Sequence, residues 1–243
     1  MRASDMRRFW DARAREDPYF FVDDRLDYRA PDLVRFWASG QRDLDALLGA
    51  LDAVVGPQDV ALDIGCGVGR LTRVLAVRAT RVYALDVSAE MLDRARSHHP
   101  DEDNIEWLLG DGRTLAGVPD ASIDAAVSHV VFQHIPDPEV TLGYVRELGR
   151  VLAPEGWAAL QLSNDARVHR RSALARRLWR AARALVGRAP RGLDDPAWRG
   201  SPIDLEQLRA AADGAGLALD RVIGAGTQFC AVLLRHPQPR LIG

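Results

Sequence analysis

The densest chemical signal in the chain is Asp63-Ile-Gly65-Cys66-Gly67-Val-Gly69, followed at once by Arg70. Glycines at alternate positions let backbone N–H groups approach a ligand that any Cβ would hold off, and they accept the positive φ of a tight turn. The acid then decides the kind of ligand. A pyrophosphate is drawn to helix N–H groups and repelled by a neighbouring carboxylate. Asp63, two residues before the first glycine, suits a cationic ligand instead. The spacing GxGxG, with Arg70 next, also lacks the third glycine of the dinucleotide fingerprint GxGxxG. Further on, Asp86 and Asp111 close two apolar runs, and His129 and His134 follow another. Imidazole titrates near neutrality, so both histidines are candidate proton acceptors. The sequence holds no HExxH, no CxxC and no histidines at ligand spacing, and no metal is expected.

Such residues need elements to hold them. Val60-Ala-Leu-Asp-Ile64 is an apolar run of strand type, and Leu71, Val74, Leu75 and Ala76 recur at helical spacing after the glycines. Strand, glycine turn and helix form the first half of a nucleotide-binding βαβ unit. Arg81 to Asp86 predicts a second strand, and Ser88-Ala-Glu-Met91 opens a helix with Ser88 as N-cap. Asn104 to Leu109 predicts a third strand before Asp111. Ile123 to Ser128 predicts a fourth, with His129 to Pro136 as its exit loop. Gly156 to Ser163 predicts a fifth, Asp204 to Ala215 a helix, and Leu217–Ile223 and Thr227–Arg235 the last two strands. Residues 60–163 and about 203–236 therefore alternate strand and helix as a doubly wound α/β sheet does.

The glycine motif, with acids ending three successive predicted strands, resembles class I S-adenosylmethionine-dependent methyltransferases. The likeness covers about residues 38–164 and the rest only in outline. It implies a mostly parallel seven-stranded sheet with helices on both faces and an antiparallel last strand. It implies S-adenosyl-L-methionine as cofactor and S-adenosyl-L-homocysteine as product. The glycine loop would approach the cofactor's amino acid part, Asp86 would accept both ribose hydroxyls, and Asp111 would accept from the adenine amine. Met91 would lean on the adenine face. Cys66, Val87, Gly112, Ser128 and His129 complete the implied cofactor set with Asp63, Gly65, Gly67 and Gly69. Arg146 to Gly156 resembles the family's helix-to-strand turn, with Glu155 where glycine is usual.

The implied reaction is in-line methyl transfer to an O or N nucleophile, in which the protein mainly aligns reactants and removes a proton where the nucleophile requires it. His134 and His129 are the candidate bases. His134-Ile-Pro136 also matches a phrase common to family members with unlike substrates, so a structural hydrogen bond stands beside the catalytic role. Ser128-His-Val-Val replaces the Asn/Asp-Pro-Pro-Tyr/Phe tetrad of many enzymes that methylate nucleobase or glutamine amide nitrogens. A small-molecule acceptor is therefore favoured over nucleic acid. Two alternatives remain: a methyltransferase acting on RNA or an anionic glycolipid, and a non-catalytic protein that binds the cofactor.

Four regions are expected: a helical arm or lid (1–56), the cofactor-binding core (57–164), an Arg-rich helical insertion (165–202) and the C-terminal part of the core sheet (203–243). The arm reads as helices from Arg7 to Arg15 and from Leu33 to Val55, with Phe20-Phe21-Val22 between them. Eight of the sixteen aromatic residues lie in the first 37 positions, to dock the arm or to wall a pocket. Residues 165–191 hold nine Arg and one acid, Asp165, at amphipathic spacing. That pattern fits a solvated helix with its apolar face on the core, or a contact for an acidic substrate, lipid surface or RNA. Pro190 to Pro202 reads as a loop, with Trp198 a candidate anchor.

A chain of 243 residues can bury a sizeable core, and its net charge of −2 gives no general attraction to nucleic acid or anionic membrane. All 32 basic residues are Arg. Two cysteines, Cys66 and Cys230, make no disulfide framework, and no apolar run reaches membrane-spanning length. These features fit a cytoplasmic bacterial protein, monomeric or homodimeric.

Overall fold

The computed structural model describes residues 3–169, 190 and 192–237. Seven strands form one sheet: β1 (Val60–Ile64), β2 (Arg81–Asp86), β3 (Ile105–Leu109), β4 (Ile123–Ser128), β5 (Leu152–Leu162), β6 (Ala218–Ile223) and β7 (Cys230–Arg235), in the order β3-β2-β1-β4-β5-β7-β6. Only β7 runs antiparallel to its neighbours, β5 and β6. The expected doubly wound fold is present. β1 and β4 are apolar almost throughout because both of their faces are covered.

One face carries α3 (Leu33–Leu51) and α4 (Thr72–Arg78), whose Leu44, Leu47, Leu48, Leu51 and Leu75 pack on Ala61, Val82, Ala125 and Val127. The other carries α6 (Pro138–Val151) and the later helix α9 (Leu205–Gly214), where Leu142, Val145, Leu148, Leu208 and Ala212 meet Leu62, Ile64 and Leu160. Between β2 and β3, α5 (Ala89–His98) starts where Ser88 accepts from the Met91 N–H at 3.1 Å. The boundaries are chemical: Asp32 caps α3, Asp137 caps α6 with Pro138 behind it, and Asp52 in the left-handed region ends α3.

Three local expectations need correction. The arm has a third helix, α2 (Pro18–Val22), inside the segment expected to be non-helical. Asp17 accepts from the Phe20 N–H and Pro18 supplies a preset φ, and together they outweigh the strand preference of Phe20-Phe21-Val22. Pro190–Pro202 likewise holds a short helix, α8 (Pro196–Arg199), capped by Asp195. The turn before β5 is an irregularity inside a strand that follows α6 directly, with the β4–β5 register shifting between Ile123 and Ala125. Glycine is required there at Gly156, where a Cβ would stand 2.5 Å from the Ile123 carbonyl oxygen, and not at Glu155. Of the Arg-rich stretch, α7 (Ala166–His169) and the Arg167–Asp165 pair are seen; residues 170–189 and 191 lie outside the described residues.

Candidate functional site

The sheet's carboxyl edge, where β1, β2 and β4 end, opens into a cavity. β1 delivers Asp63 and the turn Gly65–Gly69. Gly65 has φ +79°, and a Cβ there would meet Val131 at 2.4 Å, so the exit of β4 closes on bare backbone. Asp63 is buried and accepts from the Thr72 hydroxyl at 2.7 Å. β2 delivers Asp86, whose two oxygens accept from the Gly67 and Ser88 N–H groups, each at 2.8 Å.

The electrostatics of this pair are unfinished. Burial pushes the Asp63 carboxyl up to about 6 against the pull of the Thr72 hydroxyl, and Asp86 adds to the rise. Burial likewise pushes Asp86 up to about 6 against its two N–H donors. Two carboxylates share one apolar-walled space, an arrangement that a cationic ligand would complete.

Of the residues singled out in the sequence, Asp63, Gly65, Cys66 and Gly67 line the cavity from one side. Asp86, Val87, Met91, Gly112 and both histidines line it as well. Three do not. Gly69 packs under His99 and Trp107. Ser128 donates to the Ile64 carbonyl at 2.9 Å inside the core. The Asp111 carboxylate accepts from the Arg113 and Thr114 N–H groups, each at 2.7 Å, and so shapes its own turn; Gly112 is the residue of that turn that reaches the cavity. The Cys66 thiol is driven up by burial, which leaves it an unreactive packing group.

The histidines differ. His134 donates from Nδ1 to the Trp198 carbonyl, and its Nε2 faces the Gln133 amide at 3.3 Å. Gln133 accepts in turn from Gln161 at 3.1 Å, and Gln161 accepts from the Val130 N–H at 2.8 Å. This amide relay ties α8 to β5 and supports Val130, a β-branched residue held at φ +59°. Both His134 nitrogens are thereby occupied. The enclosed Nδ1 of His129 finds no partner among the described residues. Burial lowers both imidazoles to about 4, with Arg70 contributing at His129, so each is neutral at pH 7.

Sequence reasoning missed the relay, since Gln133, Gln161 and Val130 carry no local signal, and it passed over Arg70. The aromatic arm does wall the cavity, through Trp10 and Phe21 beside Met6 and Val22. Its first helix, α1 (Ala3–Glu16), is fastened over the ends of β2 and β3. Arg7 donates to the Val87 and Gly110 carbonyls at 3.1 and 2.9 Å, and Asp11 accepts from the Ser88 hydroxyl at 2.6 Å. Trp198 packs at 4.8 Å from the His134 ring, as an anchor would. A second cavity adjoins the first and shares Phe21, Val22, Arg70, His129, Val130 and His134 with it. No group of three or more His, Cys, Asp or Glu placed to hold a metal occurs among the described residues.

Residues 62–160 match the family model described as a methyltransferase domain. Over 116 residues the chain is 40% identical to an uncharacterized methyltransferase of Mycobacterium bovis, covering 48% of this chain and 55% of that protein. Over 106 residues it is 38% identical to trans-aconitate 2-methyltransferase of an Azoarcus species, covering 43% of this chain and 39% of the relative. The chain thus spans about half the length, or less, of these curated relatives. Among solved structures, magnesium protoporphyrin IX methyltransferase from Synechocystis with bound S-adenosylhomocysteine superposes at a TM-score of 0.63 and 17% identity, over 97% of this chain and 99% of that one.

Proposed function

We infer that this chain, whose residues 62–160 match a methyltransferase domain, is a class I S-adenosylmethionine-dependent methyltransferase that moves the cofactor's methyl group to an oxygen or nitrogen of a small acceptor. The observation that carries this reading is the pair of buried, charge-deficient carboxylates, Asp63 and Asp86, beside Gly65 and Gly67 in one cavity. Asp63 suits the ammonium of the cofactor's amino acid part. Each Asp86 oxygen accepts one backbone bond and keeps a lone pair for a ribose hydroxyl. Val87, Met91 and Gly112 flank the space left for the adenine.

When bound, the cofactor supplies a methyl group already activated on a sulfonium. The chain's own work is alignment, exclusion of water and management of one proton. Residues 3–56 act as the lid and residues 57–164 with 203–237 as the platform. His129, neutral and lining both cavities, is the better-placed proton acceptor. His134 holds α8 and the β4 exit in place. The second cavity receives the acceptor. A small acceptor is supported by the missing nucleobase tetrad and by the 38% identity to a trans-aconitate methyltransferase.

The test is transfer of labelled methyl from S-adenosylmethionine to panels of small carboxylic acids, phenols and amines, with bulk RNA alongside. Transfer to a small acceptor that persists in high salt is expected. Transfer to RNA alone, lost as salt rises, would overturn the small-molecule reading.

A further inference from the structure

Val130 stands where the chain leaves β4, and its backbone lies at φ +59°, a conformation that β-branched residues seldom adopt. Its side chain lines both cavities. The residues after it are brought onto the glycine turn. Val131 lies against Gly65, where an added Cβ would meet its Cγ2 at 2.4 Å, and Phe132 opens a single 3-10 turn, Phe132–His134. Val131 and Phe132 both wall the first cavity. An unfavourable backbone conformation persists only where its surroundings enforce it, so Val130 must be held from outside.

The holder is the side-chain amide of Gln161, buried on β5 one residue past the Ser128–Leu160 pair of β4 and β5. Its Oε1 accepts from the Val130 N–H at 2.8 Å, and its Nε2 donates to Gln133 Oε1 at 3.1 Å and to the Gln228 carbonyl at 3.2 Å. The amide has one orientation only. Turned over, it would set donors against the Val130 N–H and an oxygen against two acceptors. From Gln133 the bonds continue in the same sense, Nε2 to His134 Nε2 at 3.3 Å and His134 Nδ1 to the Trp198 carbonyl. Every bond thus runs donor to acceptor from Val130 to Trp198, and bonds aligned head to tail reinforce one another. The middle of the chain is pinned as well. Gly200, the C-cap of α8, packs so closely that a Cβ there would stand 1.7 Å from the Gln133 carbonyl oxygen.

We propose, resting on the reading of the first cavity as the S-adenosylmethionine site, that Gln161 is a positioning residue for the cofactor: through the Val130 N–H it enforces the left-handed turn that presses Val131 against Gly65. Gln161 lines the second cavity and is absent from the wall of the first. Its influence on the cofactor therefore passes through the backbone of Val130. Without the amide oxygen, Val130 would relax toward a negative φ, and the Val131 wall would leave the glycine turn.

The deciding experiment is a double-mutant cycle read by calorimetric titration with S-adenosylhomocysteine. Gln161→Met removes the acceptor and roughly keeps the volume, and it is expected to weaken binding about tenfold in the otherwise wild-type chain. In a Val130→Gly chain a positive φ needs no enforcement, so adding Gln161→Met is expected to cost less than about threefold. An amide that merely fills the core would show no such rescue. Equal losses in the two backgrounds, no loss in either, or unfolding by Gln161→Met in both would overturn the positioning role. Unfolding by Gln161→Met that Val130→Gly relieves would support it. A wild-type protein that does not bind S-adenosylhomocysteine would overturn the cofactor reading itself, and this role of Gln161 with it.

Discussion

At the scale of residues, the site is defined by two acids that burial makes harder to ionise than an ordinary aspartate. Asp63 and Asp86 titrate at about 6 in the folded chain, above the ordinary aspartate value of 3.8. The native state therefore holds more protons than the unfolded one between those values. The stabilisation from their protonated forms is complete below about pH 4 and is lost as pH rises through 6. A ligand bringing an ammonium reverses the preference, since it favours the ionised acids. S-adenosylhomocysteine affinity is thus expected to strengthen from pH 5 to pH 7, with proton release on binding near pH 5.5. Titrations in two buffers of different ionisation enthalpy check this, and a flat profile without proton release would contradict it. These acids were legible in the sequence because each ends an apolar strand at a fixed distance from the glycines. Asp111 was legible by the same logic; in the fold it accepts from the Arg113 and Thr114 N–H groups of its own turn, outside the lining of the first cavity. The relay Gln161–Gln133–His134 was not legible, because its members meet only after β4 and β5 pair.

At the scale of elements, α3 works as the buttress of the glycine turn. Its Gly40 touches the Arg70 backbone, while Gly49, on the same helix, has nothing within 4 Å of the place a Cβ would occupy. The two glycines make an internal comparison. Gly40→Ala is expected to destabilise the fold by roughly 1–3 kcal/mol through overpacking. Gly49→Ala is expected to be neutral or to stabilise by up to about 1 kcal/mol through helix propensity. Urea unfolding of the two variants measures both, and similar values would remove the buttress role. Core strands were readable because burial on two faces produces continuous apolar runs, as in β1 and β4. The short helices α2 and α8 were hidden because a cap and a proline, rather than periodicity, decide segments of five and four residues.

At the scale of the whole molecule, the arm completes a cavity that the core alone leaves open. Met6, Trp10, Phe21 and Val22 supply one wall, and Arg7 and Asp11 fasten α1 to the exits of β2 and β3. Arg7→Ala/Asp11→Ala is expected to raise amide exchange in α1 and to speed release of S-adenosylhomocysteine, with the sheet's protection unchanged. Exchange mass spectrometry with and without ligand reads both, and an unaltered release rate would mean that the arm is packing alone. The arm's aromatic density pointed to this wall, whereas its hydrogen bonds to β2 and β3 lie about 80 to 100 positions away and leave no mark in the sequence.

Central to the proposed function is binding of S-adenosylmethionine in the cavity over Gly65 and Gly67, with Asp86 on the ribose. Calorimetric titration of the wild-type chain and of Asp86→Ala with S-adenosylmethionine and S-adenosylhomocysteine tests it most directly. Micromolar binding by the wild type, weakened at least tenfold in a folded variant that has lost two charge-assisted hydrogen bonds, is the predicted result. Equal affinity in the two proteins, or no binding by either, would contradict it.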